Sequence, residues 1–177
     1  LEPLGDAARA LRVALDELDL VLLLQRLRQP EADVAAAGDQ HLADALLGAG
    51  SIVRTGSSAS GGFFMGSAGG GGTFSGSIDD GAGGIVIHKI GTGTQVLAGA
   101  SVADGATFVE AGTLRLTGTL GDASAVTVSA DAIYDARATD TIGSLAGAVG
   151  SKVLLASGVT LSSGGLDTDT VMAGIVD

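Results

Sequence analysis

The fold is decided by the stretch Gly84-Ile85-Val86-Ile87-His88-Lys89-Ile90-Gly91-Thr92-Gly93-Thr94-Gln95-Val96-Leu97-Ala98-Gly99, followed shortly by Val109-Glu110-Ala111-Gly112-Thr113-Leu114-Arg115-Leu116-Thr117-Gly118. Both parts consist of short β-branched and apolar runs that end at glycine. Such runs predict strands, because β-branched side chains favour extended backbone and glycine supplies the positive φ angles of tight turns. Strands this short are expected to coil and to stack, one coil on the next.

The same pattern continues from Ser51 to the end of the chain, with Gly, Asp and Ser between the runs. A two-sheet sandwich is the alternative fold. Sandwiches use more aromatic bulk and Asn-Gly hairpin turns, whereas this chain has four Phe, one Tyr and no Asn, so stacked coils are favoured. The apolar runs are residues 85–87, 96–97, 107–109, 114–116, 126–128, 133–134, 153–155, 159–161 and 171–172.

A longer similarity within the chain supports a repeat architecture. Gly50-Ser51-Ile52-Val53, leading to residues 74–79, resembles Gly150-Ser151-Lys152-Val153, leading to residues 172–177. Coils of about twenty residues would place some five coils in each copy, and repeats that bury surface only against their neighbours are typical of solenoids. We therefore predict a mainly β fold, with a parallel, right-handed β-solenoid (β-helix) over residues 50–177.

Residues 1–49 have a different composition, since no Ser or Thr occurs before Ser51. Apolar residues recur at steps of four and three between Leu4 and Leu22, which predicts an amphipathic helix over about residues 7–28. A second helix is predicted over residues 31–47. The sequence thus indicates an N-terminal α-helical segment over residues 1–49, serving as a cap or an insertion.

Degenerate solenoid coils are the alternative for this N-terminal segment. Leu4-Gly5-Asp6-Ala7 resembles Leu120-Gly121-Asp122-Ala123, and leucines alternate between Leu18 and Leu24 as they would in a strand. The run of good helix formers without Ser, Thr or Asn favours the helix.

Composition excludes several classes of function. Nine basic and twenty acidic residues give a net charge of −11, so a nucleic-acid partner is not expected. The chain has no cysteine, which excludes disulfides and thiolate zinc sites. Its longest apolar run, residues 20–24, is too short to cross a bilayer, so no membrane span is expected within this segment.

The quoted stretch resembles the passenger-associated repeat of bacterial autotransporters. In that repeat a lysine-glycine-threonine-glycine-threonine-leucine phrase is followed by an alanine-glycine-threonine-leucine phrase. Here Lys89 is separated by Ile90 from the Gly-Thr-Gly-Thr phrase, and Ala111 begins the second phrase. The resemblance covers roughly residues 50–177 and implies the passenger domain of a secreted surface protein. A chain that runs from Leu1 to Asp177 through repeating phrases is expected to be part of a longer protein.

Candidate chemical groups are sparse, and each has a simple structural interpretation. His41 and His88 are the only histidines, and we expect both to be surface residues rather than catalytic ones. The glycine-rich runs 69–72 and 81–84 lack the Gly-Lys-Ser/Thr of a phosphate loop and are interpreted as turns. Asp167 and Asp169 are interpreted as solvated turn carboxylates rather than calcium ligands. We therefore predict no catalytic residue, no metal site and no cofactor.

The function predicted from the resemblance is a non-catalytic stalk or adhesive segment at the bacterial cell surface, exported through the outer membrane and associated with virulence. Its expected partner is a host or neighbouring-cell surface, or a second copy of itself. A self-assembling surface-layer or fibre module is one alternative. Another is the scaffold of an enzyme-bearing passenger whose active site lies elsewhere.

Overall fold

A computed structural model of the protein describes residues 12–15, 40–54, 61–81 and 84–177, and all of its regular elements are short strands. The strands are β1 (Arg12–Leu15), β2 (Gln40–Ala43), β3 (Ser51–Arg54), β4 (Gly61–Met65), β5 (Gly72–Phe74), β6 (Ser77–Asp79), β7 (Ile85–Lys89), β8 (Thr94–Leu97), β9 (Thr107–Val109), β10 (Thr113–Leu116), β11 (Ala125–Val128), β12 (Ile133–Ala136), β13 (Asp140–Ile142), β14 (Ser144–Gly147), β15 (Lys152–Leu155), β16 (Leu161–Ser163) and β17 (Ile175–Val176).

The strands form the faces of a parallel β-solenoid. Sheet 1 has six strands in the order β14-β11-β9-β7-β4-β2, and sheet 2 has six in the order β17-β15-β12-β10-β8-β5. The third face consists of the sheet β1-β3-β6 and the pair β13-β16. The chain passes from sheet 1 to sheet 2 to the third face before it enters the next coil. This arrangement confirms the predicted parallel solenoid, whereas its right-handedness stays a prediction.

The register shows coils of about twenty residues. Ile87 lies opposite Thr107 in sheet 1, and Thr107 lies opposite Val126, so successive coils take 20 and 19 residues. The step from Gly61 to Ile85 is longer, at 24 residues. Longer coils hold their extra residues in loops, which leaves the strand ladder in register.

The core is a narrow interior filled by alternate residues of each strand. In β7 the side chains of Ile85, Ile87 and Lys89 point inward and are buried, while Val86 and His88 lie between them at half-buried outward positions. This alternation follows from the pleat of a strand. The inward residues are mostly Ile, Leu and Val, so the solenoid needs few aromatic side chains.

The predicted N-terminal α-helical segment is wrong where the structure describes it. Residues 12–15 form β1, paired in parallel with β3, and residues 40–43 form β2, paired with β4. Pairing with a strand ladder has overridden the intrinsic helix propensity of Leu, Ala and Arg. The rest of the predicted helices over 7–28 and 31–47 lies outside the described residues, apart from 44–47. The described residues contain no helix, and therefore none that is long and apolar enough to cross a membrane.

The two copies of the long internal similarity occupy different faces. Ser51 begins β3 on the third face, whereas Lys152 begins β15 in sheet 2. Two predicted strands are also displaced, because the run at 159–161 contributes only its last residue to β16 and Met172 forms an isolated bridge with Gly147. The division of the chain at residue 50 stays a prediction.

Candidate functional site

The corner between sheets 1 and 2 is formed by stacked glycines. Gly91 has a φ angle of +65° and Gly112, one coil further on, has +63°. A Cβ atom at Gly91 would overlap the carbonyl oxygen of Gly66 in the preceding coil, and one at Gly112 would overlap those of Gly91 and Gly93. The Gly-Thr-Gly-Thr phrase therefore marks a corner at which the backbones of three coils touch without side chains between them.

A second glycine ladder lies after sheet 2. A Cβ atom at Gly99 would overlap the carbonyl oxygen of Gly76 in the coil before it, and one at Gly118 would overlap that of Gly99. Gly99 does not have a positive φ angle, so its conformation does not require glycine. Glycine is required there because the backbone of the neighbouring coil lies too close to leave room for a side chain. The two ladders together fix the corners of the repeat.

Lys89 is the central polar residue of the first corner. It is the last residue of β7, is 0% exposed, and points into the solenoid. Its Nζ atom donates to the carbonyl oxygens of Ile90 at 2.7 Å, Gly91 at 2.8 Å and Ala111 at 3.1 Å. All three N–H groups of the ammonium are thus used, and two successive coils are joined at the corner. Burial lowers the pKa of Lys89.

The inward position of Lys89 was not predicted from the sequence, where this residue stands only as part of the repeat phrase. The alternation of Ile85, Ile87 and Lys89 places all three on one face of a strand, and this was the available signal. A lysine at such a position needs carbonyl or carboxylate partners inside the protein, because burial of an unpartnered charge is costly.

Gln95 ties coils together within the core and is also 0% exposed. Its Oε1 atom accepts from the amide nitrogen of Leu46 at 3.0 Å, and its Nε2 atom donates to the Leu46 carbonyl oxygen at 2.8 Å. Nε2 also lies 3.1 Å from the carbonyl oxygen of Gly72, the residue opposite Gln95 in register. The missing side chain of Gly72 leaves room for Gln95 to reach the backbone of Leu46, 49 residues earlier in the chain.

The glycine-rich run at 69–72 is packed against a carboxylate from the preceding coil. The Oδ1 atom of Asp44 accepts from the amide nitrogens of Ala68 at 2.9 Å and Gly70 at 2.8 Å. These amides therefore bind the protein's own anion, and Gly72 itself begins β5. The other run, at 81–84, lies partly outside the described residues.

His88 projects from the outer face of sheet 1, with a side chain that is 20% exposed. Its ring stacks between Phe64, at a centroid distance of 4.2 Å, and Phe108, at 5.1 Å. Its Nδ1 atom lies 2.6 Å from Oε1 of Glu110. The three rings form a ladder over three coils, which gives His88 a packing role at the surface. His41 lies in β2 opposite Phe63, and its side chain lies outside the described part of the structure.

Asp167 and Asp169 lie in an exposed loop after β16. Asp167 has a φ angle of 49°, and its amide donates to the Gly164 carbonyl oxygen at 3.2 Å, as expected of a turn. Among the described residues, no group of three or more His, Asp or Glu side chains could hold a metal ion.

Two buried aspartates have opposite electrostatic environments. Asp135, in β12, accepts from Nε of Arg115 at 2.7 Å and from Nε of Arg137 at 2.5 Å. Burial alone would raise the pKa of Asp135, but the hydrogen bonds and charges of the two arginines outweigh it and lower that pKa below 3.8. Burial raises the pKa of Asp140 above 3.8, although its carboxylate accepts from the amides of Leu120 and Thr141.

Replacement with asparagine should lower stability at Asp135 but not at Asp140. Asp135→Asn is expected to lower the free energy of unfolding at pH 7 by about 1–2 kcal/mol, because the charge-assisted bonds to two partly exposed arginines are lost. Asp140→Asn keeps an acceptor for Leu120 and removes a charge that burial disfavours, so stability at pH 7 should be unchanged or higher.

The pH dependence of the free energy of unfolding is a second test of the roles of Asp135 and Asp140. The contribution of Asp135 is complete above pH 3.8, its unfolded value, and is lost as pH falls through its lower folded pKa. The penalty from Asp140 is relieved as pH falls through its raised folded pKa towards 3.8. Urea unfolding between pH 7 and pH 3 measures both effects. A loss of stability at pH 7 in both variants would contradict the assignment.

These features define a repetitive β-solenoid protein. Its parallel ladders are continuous, its corners are formed by glycines, and its polar side chains are hydrogen-bonded to the backbone of neighbouring coils. Residues 87–116, from the middle of β7 to the end of β10, match the family model of the passenger-associated-transport-repeat. This repeat and the parallel β-solenoid together fit an autotransporter passenger domain, and the repeat family suggests a secreted surface protein. Comparisons with curated proteins and with solved structures gave no match.

Proposed function

We propose that this segment is a non-catalytic stalk of an exported bacterial surface protein. The observation that carries the proposal is the uninterrupted ladder of sheets 1 and 2, in which each internal strand is hydrogen-bonded to a coil on both sides. Each coil extends such a ladder by about 4.8 Å along the axis. A solenoid of this kind holds whatever lies at its tip away from the cell.

The polar groups of the described interior support a structural role. Lys89 donates to three carbonyl oxygens, Gln95 is hydrogen-bonded to the backbone of Leu46, and Asp44 accepts from amides of the next coil. His88 is occupied by two phenylalanine rings and Glu110. These groups serve the joining of coils, so none of them is left over for acid–base or nucleophilic chemistry.

We further propose that the segment crosses the outer membrane unfolded and then stacks coil by coil outside the cell. The cysteine-free sequence is compatible with that route, since no disulfide has to form or open. Each coil that adds to the ladder buries apolar surface against the coil before it, which favours forward movement of the chain. At the cell surface the stalk would face host or neighbouring cells.

Deletion of one whole coil tests the stalk. Thr107 and Val126 occupy the same position in successive coils, so removal of residues 107–125 joins two coils in register. The full-length gene product with this deletion should be displayed at normal levels and should resist external protease as the unmodified protein does. Deletion of residues 107–116 is the matched control, because it removes about half a coil and should abolish both properties.

Surface labelling with an antibody and limited proteolysis of intact cells measure the two properties. Equal failure of the two deletions would contradict the proposal, since the coils of a stalk are interchangeable units.

A further inference from the structure

The exposed basic side chains of the described residues lie in one region of the solenoid. Among the described side chains, Arg54 and Lys89 are buried, and the remaining cations are Arg115, Arg137 and Lys152. Arg115 lies in β10, Arg137 directly follows β12, and Lys152 begins β15, so they occupy three successive coils of sheet 2. We call these three residues the basic face.

Three acidic side chains lie at another corner, in the coil of Arg115 and in the two coils before it. Asp80, Asp104 and Asp122 stack where the third face turns into sheet 1, with Asp80 Oδ2 accepting from the Asp104 amide at 3.0 Å. Asp104 in turn accepts from the amide of Ala123 at 3.2 Å. In a chain of net charge −11, the basic face is therefore a local exception. Three carboxylates belong to neighbouring segments: Glu110 precedes β10, Asp131 precedes β12, and the backbone of Asp177 is hydrogen-bonded to Val153 and Leu155 of β15.

Asp135 holds the two guanidinium groups in place. Each arginine donates through Nε to a different oxygen of this carboxylate, whose side chain is 2% exposed, whereas the arginine side chains are 41% and 44% exposed. The carboxylate is thus covered and neutralised. The terminal amino groups of both guanidiniums have no hydrogen-bond partner among the described residues. Planar groups with free N–H donors suit sulfate and carboxylate oxygens.

We propose that the basic face binds the sulfate or carboxylate groups of an acidic polysaccharide. The three cations lie on successive coils but are staggered along the strand direction. Lys152 is in register with Ile133, Arg115 with Asp135, and Arg137 follows Asp135 by two residues. They therefore form a patch that spans four residues, or about 13 Å, along the strands. Acidic groups of a polysaccharide that lies across this patch would meet all three cations. This inference deepens the proposed function, since it gives the stalk a ligand on the surfaces that it faces.

A polysaccharide fits this face better than nucleic acid does. Duplex DNA carries one charge per roughly 1.7 Å, so the remaining negative charge of the protein would be strongly repelled. In the described part of the chain, only the three cations of the basic face are exposed to offset that repulsion. A polysaccharide with more widely spaced charges can contact the basic face and still keep its distance from the acidic corner.

Binding of heparin, hyaluronate, neutral dextran and duplex DNA to the full-length protein tests the proposal. Heparin carries sulfates and hyaluronate only carboxylates, so the two distinguish the group that is recognised. Lys152→Gln leaves the Asp135 network intact and should weaken binding about threefold to fivefold. The triple change Arg115→Gln, Asp135→Asn and Arg137→Gln removes both guanidiniums without stranding a carboxylate, and should weaken binding at least about tenfold.

Asp122→Asn is the control, because it changes net charge by one unit at the acidic corner and should leave affinity nearly unchanged. Circular dichroism shows whether each variant is folded, and Lys152→Gln keeps the test informative if the triple variant is not. The proposal is overturned if dextran binds as tightly as both polyanions, if DNA competes equally, or if Lys152→Gln binds as the unmodified protein does. Surface display after coil deletion is independent of these outcomes, so failure of the stalk and failure of the basic face are distinguishable.

Discussion

Gly99→Ala is expected to lower the free energy of unfolding by about 3 kcal/mol or more. The added methyl group would overlap the carbonyl oxygen of Gly76 in the neighbouring coil. Backbone cannot move aside as a side-chain end can, because the Gly76 region is itself stacked on Gly50. The two coils would have to separate, and the adjoining strands of sheet 2 would lose their register.

Substitutions at three other glycines distinguish the effect of steric overlap on stability from the effect of backbone strain. Gly165 has no positive φ angle and nothing within 4 Å of its Cβ position, so Gly165→Ala should change stability by no more than about 1 kcal/mol. Gly158 has a φ angle of +77° and equally open space, so Gly158→Ala should cost about 1–2 kcal/mol from strain alone. Gly91 combines a φ angle of +65° with overlap, and its substitution should be the most harmful of the four.

Urea unfolding followed by circular dichroism, with hydrogen exchange at the amides of sheet 2, measures these differences. Amides next to Gly99 should lose protection first in the Gly99→Ala variant. If Gly99→Ala and Gly165→Ala were equally mild, the coils would not be in the close contact that the glycine ladder implies.

The solenoid could be predicted because each strand and each turn is encoded by a short stretch of neighbouring residues. Runs such as 96–97 and 114–116 are closed by glycine at a spacing near twenty residues, and strands β8 and β10 lie at those positions. The corners could be placed from the glycines alone. The spacing does not indicate which face of the solenoid a strand joins. The similar segments at Ser51 and Ser151 lead into different sheets, and their similarity did not predict this.

The N-terminal strands could not be predicted from local propensity. Arg12–Leu15 and Gln40–Ala43 are composed largely of good helix formers, and β1 pairs with a strand that begins 39 residues later, at Ser51. A contact at that distance leaves no periodic trace in a short window of sequence. The resemblance of Leu4-Gly5-Asp6-Ala7 to a phrase of the later coils was the better guide, because it compared the segment with the repeat itself.

The buried polar contacts of the repeat could not be predicted from the sequence either. A glutamine that reaches the backbone of Leu46 and a lysine that caps a corner both depend on what lies one or two coils away. Only the inward phase of β7 pointed to Lys89. His88 was expected at the surface and lies on the outer face of sheet 1, although its stacking on Phe64 and Phe108 was not foreseen.

Lys89→Met is expected to destabilise the solenoid by about 3 kcal/mol. Methionine fills a similar volume, so the change isolates the ammonium group. The carbonyl oxygens of Ile90, Gly91 and Ala111 lose their donor. Removal of a desolvated charge offsets part of this loss, and three unpaired acceptors at a crowded corner outweigh that gain.

The pH dependence of Lys89→Met provides an independent test. Burial holds the pKa of Lys89 below 10.5, so the unfolded chain binds this proton more tightly than the folded chain does. The contribution of Lys89 to stability therefore rises with pH in the window between its folded pKa and 10.5, and the methionine variant should lack this rise.

Lys152→Met is the matched control for the same chemical change, since Lys152 is exposed at the start of β15. It should change the free energy of unfolding by no more than about 0.5 kcal/mol. Equal effects of the two substitutions in urea unfolding would mean that the corner does not depend on the lysine. A large loss at Lys89 alone would show that this corner depends on the lysine, because the carbonyl oxygens of two coils converge there and require a donor.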